Sequence, residues 1–217
     1  MRGIPSRFDN CPLMIYRILS NTKNESDVQI DVCIPCWELS AKLKTTINAL
    51  TNGPSKLSVP AKLILNVEKQ SVVKNRLACL AESRSKYVLW LDDDVVFEKT
   101  GWDSYLLEKI QGNADVGVIG IRVKHWQLLD RSPMRPSGFV EDVCGAVMMT
   151  RKIEGVNFDD NYVGSQWEDT DYCFSVRKAG YKVLQDNGIA VIHYNEEKNR
   201  EYVNNRAYFN QKWGTQK

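Results

Sequence analysis

The alternation of strand-like and helix-like segments in this chain predicts an α/β domain whose mostly parallel central sheet is flanked by helices. Three observations carry that prediction. Apolar residues recur with strand and helix periods in turn through the first 123 residues, in a βαβα order. The run Tyr87-Val88-Leu89-Trp90-Leu91 is apolar without interruption, as suits a central strand covered on both faces. The helical segments stop at turn signals such as Asn52-Gly53-Pro54 and Gly180.

Residues 1–27 read as an N-terminal arm or tag plus a lead-in. Met1 to Asn10 is polar, carries Arg2, Arg7 and Asp9, and lacks the apolar stretch of a secretory signal; Met14 is a second candidate start. Val28 to Pro35 is a strand that Pro35 ends. Trp37 to Leu50 has Leu39, Leu43, Ile47 and Leu50 at helical spacing, and Lys62 to Val67 is the next strand. Ser71 is the expected N-cap of a helix through Ser83, with Val73, Leu77, Leu80 and Ala81 on its buried face. After the central strand come a helix at Trp102 to Ile110 and a strand at Val116 to Val123.

The second half changes character. Lys124 to Val143 is irregular and holds His125, Trp126, Pro133, Pro136 and Gly138; so long a connection inside a compact domain is a candidate binding loop. A strand at Gly145 to Thr150, a helix at about Thr170 to Ala179 and a strand at Ile189 to His193 follow, and the stretch to Trp213 forms a helix or lid.

Composition narrows the function. The chain has 217 residues, 43% of them hydrophobic, which suffices for one domain with a sizeable core. No window approaches the ~18 uninterrupted apolar residues of a membrane span, so no transmembrane segment is expected. With 29 basic and 27 acidic residues the net charge is +2, which argues against a nucleic-acid partner. Beyond Asn195 both signs cluster, as on a solvated surface.

Six cysteines, Cys11, Cys33, Cys36, Cys79, Cys144 and Cys173, sit mostly in apolar runs where a thiol acts as a small hydrophobe. A chain this long does not need disulfides, so a reducing compartment is expected, and with it a soluble, cytoplasmic location with peripheral membrane contact left open. Cys33-Ile34-Pro35-Cys36 is a C-x-x-C, but it lies in a strand rather than at a helix start, and no second pair completes a zinc site.

Three motifs carry chemistry. Asp92-Asp93-Asp94 begins where the buried strand ends, the place where open α/β sheets bind ligands. Adjacent carboxylates repel, so a cation must compensate them or their pKa values must rise. If strand geometry persists, Asp92 and Asp94 point to one side and can share a hard Mg²⁺ or Mn²⁺ ion. A solvated turn is the alternative. Trp167-Glu168-Asp169-Thr170-Asp171 precedes a helix. Taken alone, acidic residues favoured in a first helical turn, with Asp169 or Thr170 as the cap, are the simpler account; the functional reading makes one carboxylate a general base. His193 ends its strand at a carboxyl end, which makes it either a metal ligand or a structural histidine.

Taken together and in order, the motifs resemble those of an inverting family 2 glycosyltransferase with the GT-A fold, from Val28 to about Trp213. Tyr87 to Asp94 is similar to that family's apolar strand with its D-x-D, and Gly145-Ala146-Val147-Met148-Met149 to its small-residue strand beneath the donor sugar. Phe158-Asp159-Asp160, Trp167-Glu168-Asp169-Thr170-Asp171, Arg177-Lys178-Ala179-Gly180-Tyr181 and the tail Phe209-Asn210-Gln211-Lys212-Trp213 also match in order.

The resemblance implies a single Rossmann-like domain with a small antiparallel element in its second half. Residues 28–123 would bind the nucleotide-sugar, and residues 124–217 would bind the acceptor and supply the base. It implies Asp94 as direct metal ligand, Asp92 on the ribose or the cation, His193 completing the shell, and Mn²⁺ or Mg²⁺ as cofactor. Asp169 would be the base, with Trp167 and Glu168 beside it on the acceptor side. Pro35, Trp37 and Glu38 match the loop that holds the nucleobase, and Asp93, Gly145 and Ala146 belong with the donor site.

The chain departs from the pattern at three places. Trp37-Glu38 stands where an aromatic and Asn are common, Asn66 and Glu68 stand in place of an Asp after the second strand, and Lys74-Asn75-Arg76 replaces an Arg-Asn pair. These changes bear on which base is read. The implied reaction moves a sugar from a UDP- or dTDP-sugar to a hydroxyl on a glycan or glycoprotein, with inversion. More loosely, the chain resembles a capsid-glycan transferase domain of a large algal virus (a chlorovirus), which would act in the host cytoplasm. Two rival classes stand beside this reading. A nucleotidyl- or sugar-phosphate-transferase usually has a Gly-rich phosphate loop after its first strand, and Val32 to Leu39 has no glycine. A non-catalytic nucleotide-sugar-binding module would bind donor without turning it over.

Overall fold

The computed structural model describes residues 14–53, 55–126, 135–194 and 204–215. The expected arm at Met1 to Asn10, the helix stop at Pro54, Pro133 of the long connection and most of the charged stretch after Asn195 lie outside the described residues.

The elements are β1 (Met14–Ser20), β2 (Ile30–Cys36), α1 (Ala41–Thr51), β3 (Ala61–Val67), α2 (Val72–Glu82), β4 (Tyr87–Leu91), β5 (Val95–Phe97), α3 (Trp102–Gly112), β6 (Val116–His125), β7 (Gly138–Val140), β8 (Val147–Arg151), α4 (Glu168–Lys178), β9 (Lys182–His193) and α5 (Asn205–Trp213). One sheet runs in the order β1-β3-β2-β4-β8-β6-β9-β5, with β7 also paired to β9. Two apolar layers sandwich it. The inward residues of β2, β3 and β4 that face α1 and α3 (Val32, Leu63, Leu89, Leu43, Ile47, Leu106, Ile110) form one core. Their neighbours in sequence (Cys33, Ile64, Trp90) face α2, α4 and α5 through Val73, Tyr172, Val176 and Phe209. This period-two division explains why β4 is apolar at every position: all five of its residues are buried.

The α/β architecture is as expected, but the sheet is less parallel than the pattern predicts. Only β2–β3, β2–β4 and β6–β9 pair parallel. β8 enters antiparallel between β4 and β6, and β1, β5 and β7 are antiparallel at their own edges. A parallel neighbour needs a long crossover, whereas β8 follows β6 with only β7, and no helix, among the described residues between them. β6 also runs across residues 123 and 124, so one strand joins the two halves.

Several local expectations shift. Pro35 lies inside β2 rather than ending it. Pairing with β4 stops at Cys33, while pairing with β3 continues to Cys36, so the missing N–H falls where the strand is paired on one side only. α1 starts later, capped by Ser40, whose hydroxyl accepts from the Leu43 N–H; Trp37 and Glu38 are left in the loop. Ser71 caps α2 as predicted. The buried face of α2, however, is Val73, Asn75, Arg76 and Cys79, with Ala81 exposed, because two polar residues turn inward to partners described below. β8 starts at Val147, and Gly145-Ala146 forms the turn before it. β9 starts at Lys182, and β6 reaches His125, converting the first part of the irregular stretch into strand. Among the described residues, no helix is long and apolar enough to cross a membrane.

Cys33 and Cys36 occupy opposite cores, so the C-x-x-C cannot close on itself. Burial raises both thiols well above the ordinary range, which keeps them protonated and inert. Among the described residues every cysteine is free.

Candidate active site

β4 delivers Asp92 at its carboxyl end, where the Asp92 N–H donates to the Ala146 carbonyl at 3.0 Å. The chain then turns within two residues and re-enters the sheet as β5, which pairs with β9 at Val95 and His193. That short reversal curls the far end of the sheet back onto β4. His193 Nε2 consequently lies 3.0 Å from Asp94 Oδ1 and 3.5 Å from Asp92 Oδ2. One ligand atom from each of Asp92, Asp94 and His193 falls within 4.8 Å of the others. Neighbouring ligands of a six-coordinate ion with ~2.1 Å bonds stand ~3 Å apart, close to the two His193 distances, so these three are placed where they could share one divalent cation. Two carboxylates suit a hard ion such as Mg²⁺ or Mn²⁺. The Asp93 carbonyl accepts from Thr46 Oγ1 of α1 at 2.9 Å, which pins the turn.

Arg76 of α2 occupies the floor. It is 2% exposed, lies over the Phe158 ring with its guanidinium carbon 5.1 Å from the centroid, and donates to the Gly145 carbonyl at 3.2 Å. Its other ion partners are Asp92 and Glu168, each at 3.8 Å. Nε and Nη1 of Arg76 are buried with no hydrogen-bond acceptor, so this cation keeps unspent donors beside the acidic cluster. Burial raises the Asp92 pKa, with His193 and Arg76 opposing the shift. Burial, reinforced by Asp169, pushes Glu168 up to about 7.

Glu168 and Asp169 begin α4, which starts two residues earlier than predicted. The cap position is Trp167, and no side chain there caps the helix; neither Asp169 nor Thr170 is the cap. Asp169 instead reaches out of the helix. Its Oδ2 accepts the Gly145 N–H at 2.7 Å and its Oδ1 accepts the Thr170 N–H at 2.8 Å. Gly145 is thus held between Arg76 at its carbonyl and Asp169 at its amide. The approach to α4 is strained: Gln166 and Trp167, neither of them glycine, have φ of 84° and 73°. Asn205 of α5 holds this segment, its Nδ2 donating to the carbonyls of Val163 at 2.9 Å and Gln166 at 3.0 Å.

The structure therefore brings together Asp92, Asp94, His193, Arg76, Gly145, Glu168 and Asp169. The residues expected at the nucleobase gather at the neighbouring β2–β3 rim, where the Glu68 N–H donates to the Cys36 carbonyl at 3.1 Å. Trp37 and Glu38 are exposed there, whereas Asn66 is fully buried and donates to Asn75 Oδ1 at 2.7 Å, beneath the rim. Pro35 is buried in β2, and Lys74 points outward from α2. His125, which no local pattern marks as part of the site, pairs in register with His193; their ring centroids are 5.8 Å apart, and burial, then His193, lowers its pKa. Only His193 was expected at a strand end; the available signal for His125 was its place two residues past a strand predicted to stop at Val123, which the structure extends to it.

The model of the family described as "Glycosyl transferase family 2" matches residues 47–160, more than half of the chain. The chain belongs to glycosyltransferase family 2. The matched span of this family 2 glycosyltransferase covers Arg76, Asp92 to Asp94 and Gly145. Among solved structures, GalNAc-T7 with UDP, GalNAc and Mn²⁺ is similar at a TM-score of 0.55 and 11% identity, over 80% of this chain and 45% of that one. A197 from STIV is similar at a TM-score of 0.53 and 13% identity, over 79% of this chain and 88% of that one. These likenesses show the fold: a mixed α/β domain of the GT-A kind. The chain spans less than half the length of the GalNAc-T7 chain. No curated protein sequence matches it.

Proposed function

We propose that this glycosyltransferase uses a divalent cation and a nucleotide-sugar donor, a UDP- or dTDP-sugar, to glycosylate a hydroxyl of a glycan or glycoprotein with inversion. The observation that carries the reading is the Asp92–Asp94–His193 triad, sharing one rim with the Gly145-bound carboxylate of Asp169. Asp92, Asp94 and His193 would hold Mn²⁺ or Mg²⁺, which when bound supplies Lewis-acid stabilisation of a diphosphate.

The chain's own residues then divide the work. Asp169 takes the proton of the acceptor hydroxyl as its oxygen forms a bond to the anomeric carbon. The bond from that carbon to the diphosphate oxygen breaks on the opposite face, so a single displacement inverts the centre. The Gly145 and Thr170 amides hold the Asp169 carboxylate in one orientation, which is the positional demand on a general base. Arg76 offers its remaining donors to the anionic donor and balances Asp92 and Glu168 in its absence. Gly145-Ala146 leaves room for the sugar, Trp37 and Glu38 contact the base, and Trp167 and Glu168 flank the acceptor. The loose resemblance to capsid-glycan transferases makes a viral capsid glycoprotein the acceptor to try first.

The test is a thermal-shift screen of UDP-, GDP- and dTDP-sugars with and without Mn²⁺, because a ligand of the native state raises its apparent stability. A shift that requires both metal and nucleotide is expected. No metal-dependent shift with any donor would sink the proposal, and binding without turnover would favour the non-catalytic module.

A further inference from the structure

Trp126 directly follows β6, and Tyr194 directly follows β9. Backbone bonds tie both to the triad: the Trp126 N–H donates to the His193 carbonyl at 3.0 Å, and the Tyr194 N–H donates to the Asp94 carbonyl at 2.9 Å. Their rings stack with centroids 5.0 Å apart and 29° between planes. Trp126 is nevertheless 52% exposed. A large aromatic face is thus held rigidly at the lip of the acidic cluster and left open to solvent.

We infer that Trp126 and Tyr194 form a stacking shelf for a pyranose ring of the acceptor, an inference that rests on the glycosyl-transfer reading of the site. An apolar ring plane offers nothing to a phosphate, which the cation and Arg76 would hold. It does fit the C–H face of a neutral sugar, whose hydroxyls remain at the ring edge for polar partners. The nucleobase is the other flat group in the reaction, but an exposed tryptophan, Trp37, already stands at the β2–β3 rim where the base loop was expected. In strand order β2 lies on one side of β4, and β6 and β9 lie on the other. Because β5 curls that side back, Lys42 Nζ of α1 also reaches the Tyr194 carbonyl at 3.5 Å, so UDP affinity is the readout that separates a base shelf from a sugar shelf. The Trp126 backbone bond and the stacked Tyr194 ring, itself tied by its own N–H to Asp94, orient Trp126 before any ligand arrives, which lowers the conformational freedom to be lost on binding.

The test is ligand-observed saturation-transfer NMR with methyl glycosides of glucose, galactose, mannose, xylose, fucose and N-acetylglucosamine, in the presence of UDP and Mg²⁺. Wild type is compared with Trp126→Ala, Trp126→Tyr, Tyr194→Ala and Phe139→Ala, the last an exposed aromatic on another face. At least one glycoside should receive saturation, strongest on one ring face. Trp126→Ala should weaken its binding by about tenfold, the loss expected of an aromatic anchor. Trp126→Tyr should recover part of it, Tyr194→Ala should weaken it less, and Phe139→Ala should change nothing. UDP affinity in Mg²⁺ should stay the same in every variant. Loss of UDP affinity in Trp126→Ala would assign the shelf to the nucleobase and overturn the inference. So would a Trp126→Ala protein that binds glycosides as wild type does, or a wild type that binds UDP and Mg²⁺ but no glycoside. A wild type that binds neither UDP nor any other nucleotide with metal fails at the underlying reading instead, a result seen in the nucleotide titration alone.

Discussion

Replacing Gly145 by alanine tests the geometry of the whole site with one methyl group. Gly145 is not among the positive-φ glycines, so an alanine backbone is acceptable there and any effect comes from the added Cβ. That carbon would sit 2.9 Å from Arg76 Nη2, 2.9 Å from Asp169 Cβ and 2.9 Å from Asp169 Oδ2. The guanidinium tip can swing aside, but Asp169 Cβ is fixed to the first turn of α4 and can only retreat with the helix. Such overpacking costs typically about 1–3 kcal/mol. For a chain of this size that lowers Tm by roughly 2–4 °C per kcal/mol. Activity should fall further, because the displaced atom is the proposed base, and a 1 Å misplacement of a catalytic group costs on the order of 100-fold. The assay is kcat and KM for transfer, alongside donor and metal affinity by calorimetry. We expect kcat to drop by about two orders of magnitude with donor affinity within a few-fold. Gly112→Ala, at a helix position where an added Cβ meets nothing within 4 Å, should be neutral or stabilising by about 0.4–1 kcal/mol. If Gly145→Ala kept both its melting temperature and its transfer rate, the packed arrangement of Arg76, Gly145 and Asp169 would be wrong.

Other outcomes follow from the same contacts. Asp169→Asn should abolish transfer while leaving donor binding nearly intact, measured as product formation against calorimetric affinity; full activity would remove Asp169 from the role. Asp94→Asn should eliminate the Mn²⁺-dependent part of the donor's thermal shift, since it removes one of the three proposed ligands and a partner of His193; an unchanged metal dependence would place the cation elsewhere. Glu168 has its pKa raised in the fold, from 4.5 to about 7, by burial and Asp169. The folded state therefore binds the extra proton, and metal-free stability should fall as pH rises from about 4.5 to about 7; Glu168→Gln should flatten that part of the Tm–pH curve. Lys212 of α5 bonds Asp159 at 2.7 Å and the fully buried Asp171 at 2.8 Å. Burial alone would raise Asp159, but this ammonium and neighbouring donors bring it down to about 2. Lys212→Met should cost roughly 1–3 kcal/mol in chemical denaturation, between the exposed and buried limits for ion pairs, and adding Asp171→Asn should recover part of it.

How much of this was legible in the sequence depends on the range of the cause. α2 and its Ser71 cap, the buried β4 strand and the acidic start of α4 follow from residues within a few positions of one another, and the sequence shows them. The polar turn of α2 was misread because an apolar-face rule credits Leu77 and Ala81. The buried positions belong to Asn75 and Arg76, whose partners are the Cys36 and Glu68 carbonyls, Asp92, Glu168 and the Gly145 carbonyl. The partners of Arg76, unlike the Glu68 carbonyl, lie 16 or more residues away, so no local pattern marks it as buried. The same holds for the parallel content of the sheet, since a strand's own residues do not say in which direction its neighbour runs.

His193 shows where the two scales meet. Its position at the end of an apolar strand was readable, but its role depends on a reversal of the chain at Asp92 to Asp94. β4 ends there, β5 starts at Val95, and β5 is hydrogen-bonded to β9 with Val95 opposite His193. Three residues cannot carry the chain far, so whatever strand pairs with β5 must end beside β4. The Asp triplet would therefore both supply two of the proposed ligands and act as the hinge of the sheet that brings His193 to them. The Tyr194 N–H to Asp94 carbonyl bond and the Thr46 hydroxyl to Asp93 carbonyl bond lock that reversal from two sides. An insertion of even one residue between Asp92 and Asp94 should separate the carboxylates from His193 without unfolding either strand. That distinguishes a ligand set built by chain reversal from three acidic groups that happen to share a turn.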